Sequence, residues 1–330
     1  MTRSSARSTL AFYLGLGLIG GLYVGLILAM LLADVLFTTP GHLWDALQSR
    51  EIRYAIKLSL VSCFVTTLLS LWVAVPLGYL LARTNFPGKA IADTVLDIPI
   101  VLPPLVLGIS LLILFQTPPG KWVEYQTKHR MGEILVLGVL PLLASIVAWL
   151  FARRYAPYWV VLGGVALLVV PLKIVGVLDP LTAAAQAAFG TDITYAIPSV
   201  ILAQFSVSAA FAVRTMRVTF DQISPRTEQV ALTLGCTRAQ AFWLVAVPES
   251  WRGLVTAATI AWARALGEFG PILVFSGATR MKTEVLSTTV FLELSVGRLE
   301  AAIAVSLLMV VVAVVALLLM RTFGLRGGSV

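Results

Sequence analysis

Long apolar runs separated by short charged stretches set the frame of this chain. Runs close to the roughly 20 residues that an α-helix needs to cross a bilayer core recur at about 11–33, 55–82, 95–115, 134–152, 157–177, 195–215, 253–276 and 300–320. Only helices or closed barrels satisfy backbone polar groups in lipid, and apolar runs of this length predict helices. The expected fold is therefore all-α, a polytopic membrane bundle of about eight spans forming a single domain over 1–330. The first run follows Arg3 and Arg7 and is too long for a signal-peptide core, so it reads as an uncleaved first span.

Composition sharpens this without redirecting it. Of 330 residues, 59% are hydrophobic and only 12% charged, with a mean hydropathy of +0.94, a balance foreign to soluble domains. The net charge of +8 would suggest nucleic acid in a soluble protein; here the lipid bilayer is the partner, no nucleic acid is expected, and the placement of charge matters more than its sum. Eight spans put both termini on one side. Of the 24 basic residues, 13 then fall on the face that holds the termini and 9 on the other. The excess marks the cytoplasmic side, so both termini and residues 224–248 are expected to be cytoplasmic.

Polar interruptions within the apolar runs mark candidate chemistry. In DIPIVLPPLVLGI, from Asp97, the prolines Pro99, Pro103 and Pro104 free backbone carbonyls, which predicts a segment facing the protein interior. In 253–276, Arg264 and Glu268 stand four residues apart near mid-span and therefore on one helical face. Charges there should face the bundle interior or a watery cavity. They could attract an anion or gate a path, or simply neutralise each other. Gly267 and Gly270 flank Glu268 and allow close contact or a hinge. Residues 117–190 read as an inserted loop and helical hairpin whose tip, Arg153-Arg154, points to the cytoplasm.

The stretch 224–248, SPRTEQVALTLGCTRAQAFWLVAVP, reads as two short helices around a glycine corner. Ser224 and Pro225 form an N-cap and first-turn pair. Gly235 can take the positive φ that ends the first helix, and Thr237 with Gln240 gives the capping box that starts a second. Pro248 is expected to stop it. Phe242, Val245 and Ala246 form an apolar stripe that would seat the second helix against the protein body. Cys236 at the corner and Cys63 in an apolar span lack metal-ligand spacing and read as packing residues.

This stretch resembles the cytoplasmic loop of ABC-transporter permeases, summarised as E-A-A, three residues, Gly, nine residues, then Ile-x-Leu-Pro. Gln229-Val230-Ala231 stands at E-A-A, with Glu228 one residue earlier, Gly235 is in register, and Val245-Ala246-Val247-Pro248 closes it. ARALGEFG (263–270) and the segments 58–89, 97–115 and 292–309 are similar to permeases for molybdate, tungstate and sulfate. The resemblance implies a six-helix permease core, here with the 117–190 hairpin added, in a bacterial cytoplasmic (inner) membrane. It implies a permease homodimer, a dimeric ATP-binding cassette ATPase that holds ATP and Mg, and an extracytoplasmic solute-binding protein. It places ATPase coupling on Glu228, Gln229, Ala231, Gly235, Cys236, Thr237, Phe242 and Pro248. The path or gate falls to Arg264, Gly267, Glu268, Gly270, Pro103 and Pro104. Molybdate or tungstate is the first expectation for the cargo and sulfate the alternative.

No catalytic or metal site is expected in this chain. It has no G-x-x-x-x-G-K-[ST] phosphate loop, no H-E-x-x-H and no G-x-S-x-G, and its two histidines are far apart. This chain should therefore bind no cofactor, and if ATP drives transport another polypeptide hydrolyses it. Two rivals stay open: a secondary transporter using Arg264 and Glu268 as an ion relay, and a membrane scaffold that transports nothing.

Overall fold

The computed structural model describes residues 3–134 and 178–326, with 137 and 173 between them. The spans expected at 134–152 and 157–177, and the Arg153-Arg154 tip, lie almost wholly outside the described residues. Helices α1 (Arg3–Phe37), α2 (Pro40–Gln48), α3 (Arg50–Arg83), α4 (Lys89–Val101), α5 (Pro104–Gln116) and α6 (Pro118–Glu133) precede the gap. After it come α7 (Asp179–Phe189), α8 (Ile197–Gln222), α9 (Pro225–Thr233), α10 (Arg238–Ala241), α11 (Val247–Glu249), α12 (Trp251–Leu266), α13 (Leu286–Ser295) and α14 (Leu299–Arg326). Wide π-turns occupy Phe242–Ala246 and Ile272–Ser276. Among the described residues there is no strand.

Four of these helices are long and apolar enough to cross a membrane: Phe12–Phe37, Arg50–Arg83, Ile197–Gln222 and Leu299–Leu318. They carry the apolar runs expected at 11–33, 55–82, 195–215 and 300–320. The run at 95–115 is instead a broken pair, α4 and α5, bent by 112°. The run at 253–276 is also divided, since α12 ends at Leu266 and the chain re-enters helical geometry only at Gly270.

Residues 1–61 with 284–330 form one compact unit, and 62–283 a second. In the first, α14 packs against α13, α2 and α1. The Leu286 N–H donates to Ser59 Oγ at 2.8 Å, and Gly297, at φ 82°, turns the chain from α13 into α14. In the second unit the most extensive packing is between α8 and α12. Its core gathers Ala74 and Leu81 of α3, Val213, Met216 and Phe220 of α8, and Ala257 and Ala261 of α12. Small residues on α12 let the two backbones approach closely, the usual device where lipid supplies no hydrophobic drive.

The broken span departs from expectation in one respect. Pro103 and Pro104 are exposed in the protomer, and of α5 only Gly108 and Phe115 are buried. One bond closes each side of the break. Leu102 N–H closes α4 on Ile98 O at 2.9 Å, and Pro103 O accepts from Val106 N–H at 2.9 Å to open α5. Pro103 and Pro104 carry no N–H, so the carbonyls of Pro99 and Ile100 find no donor four residues on and α4 cannot run on into α5.

What the bend does require is close contact elsewhere. A Cβ on Gly108 would lie 2.8 Å from Pro271 Cα. In α1, a Cβ on Gly17 would meet nothing within 4 Å. Gly108→Ala should therefore destabilise by about 1–3 kcal/mol through overpacking, while Gly17→Ala should be neutral or slightly stabilising. Thermal unfolding of the two detergent-purified variants checks the difference.

Candidate functional site

The corner forms because its caps are local. Ser224 Oγ accepts from Arg226 N–H at 3.4 Å, and Pro225 occupies the first helical turn of α9. At the other end Gly235 takes φ 91°, its N–H donates to Leu232 O at 3.1 Å, and Cys236 N–H donates to Ala231 O at 3.1 Å. That pair of bonds is a complete Schellman motif. The capping box follows: Gln240 N–H donates to Thr237 Oγ1 at 3.3 Å, and Thr237 N–H donates to Gln240 Oε1 at 2.8 Å.

Pro248 does not stop the second helix as expected. The helical path continues from α10 through the π-turn and α11 to Glu249, and Ser250 marks the break before α12. The π-turn explains the tolerance. Val247 N–H reaches back five residues to Phe242 O, so the turn is already widened where an α-helix would press the proline ring onto a carbonyl.

Glu228 is turned inward. Its Oε2 accepts from the Tyr79 hydroxyl at 2.6 Å and its Oε1 from Arg83 Nε at 3.0 Å, while Arg83 Nη2 donates to Ile223 O at 2.9 Å. The two charged side chains are 13% and 9% exposed, so the end of α3 is latched onto the corner from within. Tyr79 also packs its ring against Phe242 at 4.6 Å and Phe220 at 5.4 Å. Ala231, Ala241 and Ala246 are buried and Phe242 and Val245 half-buried, as the apolar stripe predicts.

The outer side of the corner bears apolar residues among polar ones. Gln229, Gly235, Thr237 and Pro248 are exposed, and Cys236 is half-buried and free. Beside them Leu234 is 80% exposed and Trp243 65%, with Val230, Leu232 and Leu244 also outward. None of these five was among the coupling residues expected from sequence, although their positions opposite the buried alanines carried the signal.

Within the membrane-spanning part, the two chain breaks meet. A Cβ on Gly270 would fall 2.9 Å from Pro104 Cβ and 3.0 Å from Leu105 N. Pro104 and Gly270 are thus brought together, with Pro103 and Gly267 on the adjoining turns. Arg264 Nη1 pairs with Glu268 Oε2 at 3.0 Å, although Glu268 lies beyond the end of α12 rather than on its face. The Arg264 guanidinium also sits 5.7 Å above the Phe211 ring of α8.

Gln204, absent from the sequence-level candidates, supports the break. Its buried Nε2 donates to Ala265 O at 3.2 Å, a carbonyl near the end of α12, and its Oε1 accepts from Thr66 Oγ1 of α3 at 3.1 Å. A lone amide in an apolar run was the available signal. Among the described residues no group of His, Cys, Asp or Glu could hold a metal.

The architecture is an all-α membrane bundle of known type. Over 99% of both chains it is similar, at TM-score 0.61 and 18% identity, to a chain of a bacterial ABC transporter that imports the acidic polysaccharide alginate. The model of the family "binding-protein-dependent transport system inner membrane component" matches residues 74–326, and the chain belongs to that family. It is a multi-pass membrane protein and a transport subunit. It is 26% identical over 329 residues, covering 98% of this chain and 96% of the other, to the sulfate transport system permease protein CysT of Escherichia coli (strain K12). It is 27% identical over 221 residues, 67% of this chain and 70% of the other, to the molybdenum transport system permease protein ModB of the same organism. With the molybdate/tungstate transport system permease protein WtpB of Thermococcus kodakarensis it shares 26% over 220 residues, 67% of this chain and 59% of the other.

The latch yields a contrast between neighbours in sequence. Glu228→Ala leaves the Tyr79 hydroxyl and the Arg83 guanidinium without their acceptor and should cost about 1–3 kcal/mol, whereas Gln229→Ala on the exposed side should stay within about 0.5 kcal/mol. Limited trypsin digestion at Arg226 and Arg238 should be accelerated in the first variant and unchanged in the second.

Proposed function

We propose that this chain is the membrane-spanning permease of an ATP-driven importer that passes a tetrahedral oxyanion delivered by an extracytoplasmic solute-binding protein. The helix–glycine–helix corner carries the reading: it is capped at each turn, latched from within by Glu228, and presents exposed apolar residues on its outer side. Such a body fits a groove on an ATPase. Gln229, Gly235, Cys236, Thr237 and Pro248 shape or line the docking side, while Glu228, Ala231 and Phe242 hold the corner to the bundle. Two permease copies enclose the path, and the exposed face bearing Pro103 and Pro104 meets its counterpart across the dimer axis. Both termini and the corner are cytoplasmic, in a bacterial inner membrane. Residues 117–190 are an addition to a six-helix core. ATP and Mg are held by the partner ATPase dimer, and this chain binds no cofactor of its own.

Closure of the ATPases on ATP would draw the two corners together and switch the access of the bundle. A ligand shifts such an equilibrium only by its unequal affinity for the two states, so the docking contact must differ between them. For the cargo, similarity to a sulfate permease over nearly the full chain, against two thirds for the molybdate and tungstate permeases, favours sulfate over the molybdate or tungstate expected from short motifs.

Uptake in proteoliposomes holding this chain, its ATPase and a binding protein tests the reading with labelled sulfate, molybdate and tungstate. Uptake of one anion that needs all three components is expected, and uptake that persists without the ATPase would contradict it. Leu234→Asp, at a site with no internal packing to lose, should abolish copurification of the ATPase; unchanged copurification would remove the corner as the docking site.

A further inference from the structure

A basic groove runs along the surface where α8 meets α12, and none of the coupling or gate residues except Arg264 adjoins it. Arg252, Thr256, Ile260 and Arg264 recur every four residues and lie along one ridge of α12. The first three are exposed and Arg264 is half-exposed. Twelve residues at the helical rise separate the two arginines by about 18 Å along the axis. Across from them α8 presents Phe211, Arg214 and Thr215, and the space between is a cleft of about 580 Å³. Arg214 and Arg252 line that cleft, and Arg264 stands just beyond it, one turn past Ile260 and over the lining residue Phe211.

The three cations differ in how they are compensated. Arg264 pairs with Glu268 at 3.0 Å, and Arg214 Nη1 with Asp97 Oδ1 of α4 at 3.1 Å. Arg252 makes no ion pair among the described residues; Glu249, which also lines the cleft, accepts from Thr227 Oγ1 at 3.0 Å. A conduit needs sites that attract an ion yet release it. A guanidinium that already holds a carboxylate attracts an anion weakly and keeps donors to spare, while an uncompensated one at the end draws it onward.

We propose that this groove is the inward half of the translocation path, a three-arginine relay through which a tetrahedral oxyanion passes from Arg264 past Arg214 to Arg252 and the cytoplasm. The inference rests on the import reading above and adds residues and a direction to it. The same donors would suit the phosphate headgroup of a lipid, so the test separates the two sources.

The permease–ATPase complex is prepared with Thr256→Cys, or with Val218→Cys on the facing helix should the first impair assembly. Labelling of the parent chain, whose Cys63 is buried and Cys236 half-buried, is subtracted. A negatively charged methanethiosulfonate should react about tenfold faster than a positively charged one, the scale of electrostatic focusing in a charged cleft. Arg252→Gln should bring the ratio toward one, and Arg252→Lys should restore most of it. Millimolar sulfate or tungstate should slow labelling in vesicles of neutral lipid. Equal rates for the two reagents would overturn the relay. So would protection seen only when phosphatidylglycerol is present and not with inorganic oxyanion, which would make the groove a headgroup site. Failure of the import reading itself would show separately, as absent uptake by the parent complex.

Discussion

The Glu228 carboxylate, held by the Tyr79 hydroxyl and the Arg83 guanidinium, is the contact on which the mechanical account depends. A pair of short helices on the face of a membrane bundle could move independently of the spans behind it. The latch prevents this. Both carboxylate oxygens are engaged and Arg83 also ties Ile223 O, so displacing the corner must carry the end of α3 with it or leave charges buried and unpaired. Breaking such a pair costs far more than the pair contributes. The aromatic stack of Tyr79 on Phe242 and Phe220 closes the same joint from its apolar side.

Behind the joint, the membrane-spanning part solves a backbone problem. Lipid does not accept unsatisfied carbonyls, yet two spans are interrupted. One interruption falls at Leu102 and Pro103, where two successive prolines remove the N–H groups that would carry α4 onward. The other is served by Gln204, which donates to Ala265 O. Pro104 then rests against Gly270, so two breaks share one contact within the unit that also carries the latch. Both ends of the proposed motion, the docking corner and the gate, are thereby built on helices α3, α8 and α12, which pack as one core.

The corner was legible in the sequence almost residue by residue, because capping is local. Ser224, Gly235, Thr237 and Gln240 each act within five residues of themselves. Pro248 misled for an equally local reason: the rule that proline ends a helix assumes α-geometry, and a π-turn had already widened the path. The long, uniformly apolar spans were also legible. What the sequence could not show is the pairing of Glu228 with residues about 150 positions earlier, or of Pro104 with Gly270, since nothing near either residue names its partner. The prolines of the broken span suggested burial, whereas Pro103 and Pro104 are exposed in the protomer. Arg264 and Glu268 were paired correctly from their spacing, although the helix that justified the spacing ends between them.

The most direct test of the central claim is the number of anions moved per ATP hydrolysed by the reconstituted importer when the latch is opened by Tyr79→Phe with Arg83→Gln. The account predicts that the ATPase still associates and still hydrolyses ATP while transport per ATP falls severalfold. An unchanged ratio would contradict it, for the corner would then drive the bundle by some route other than Glu228.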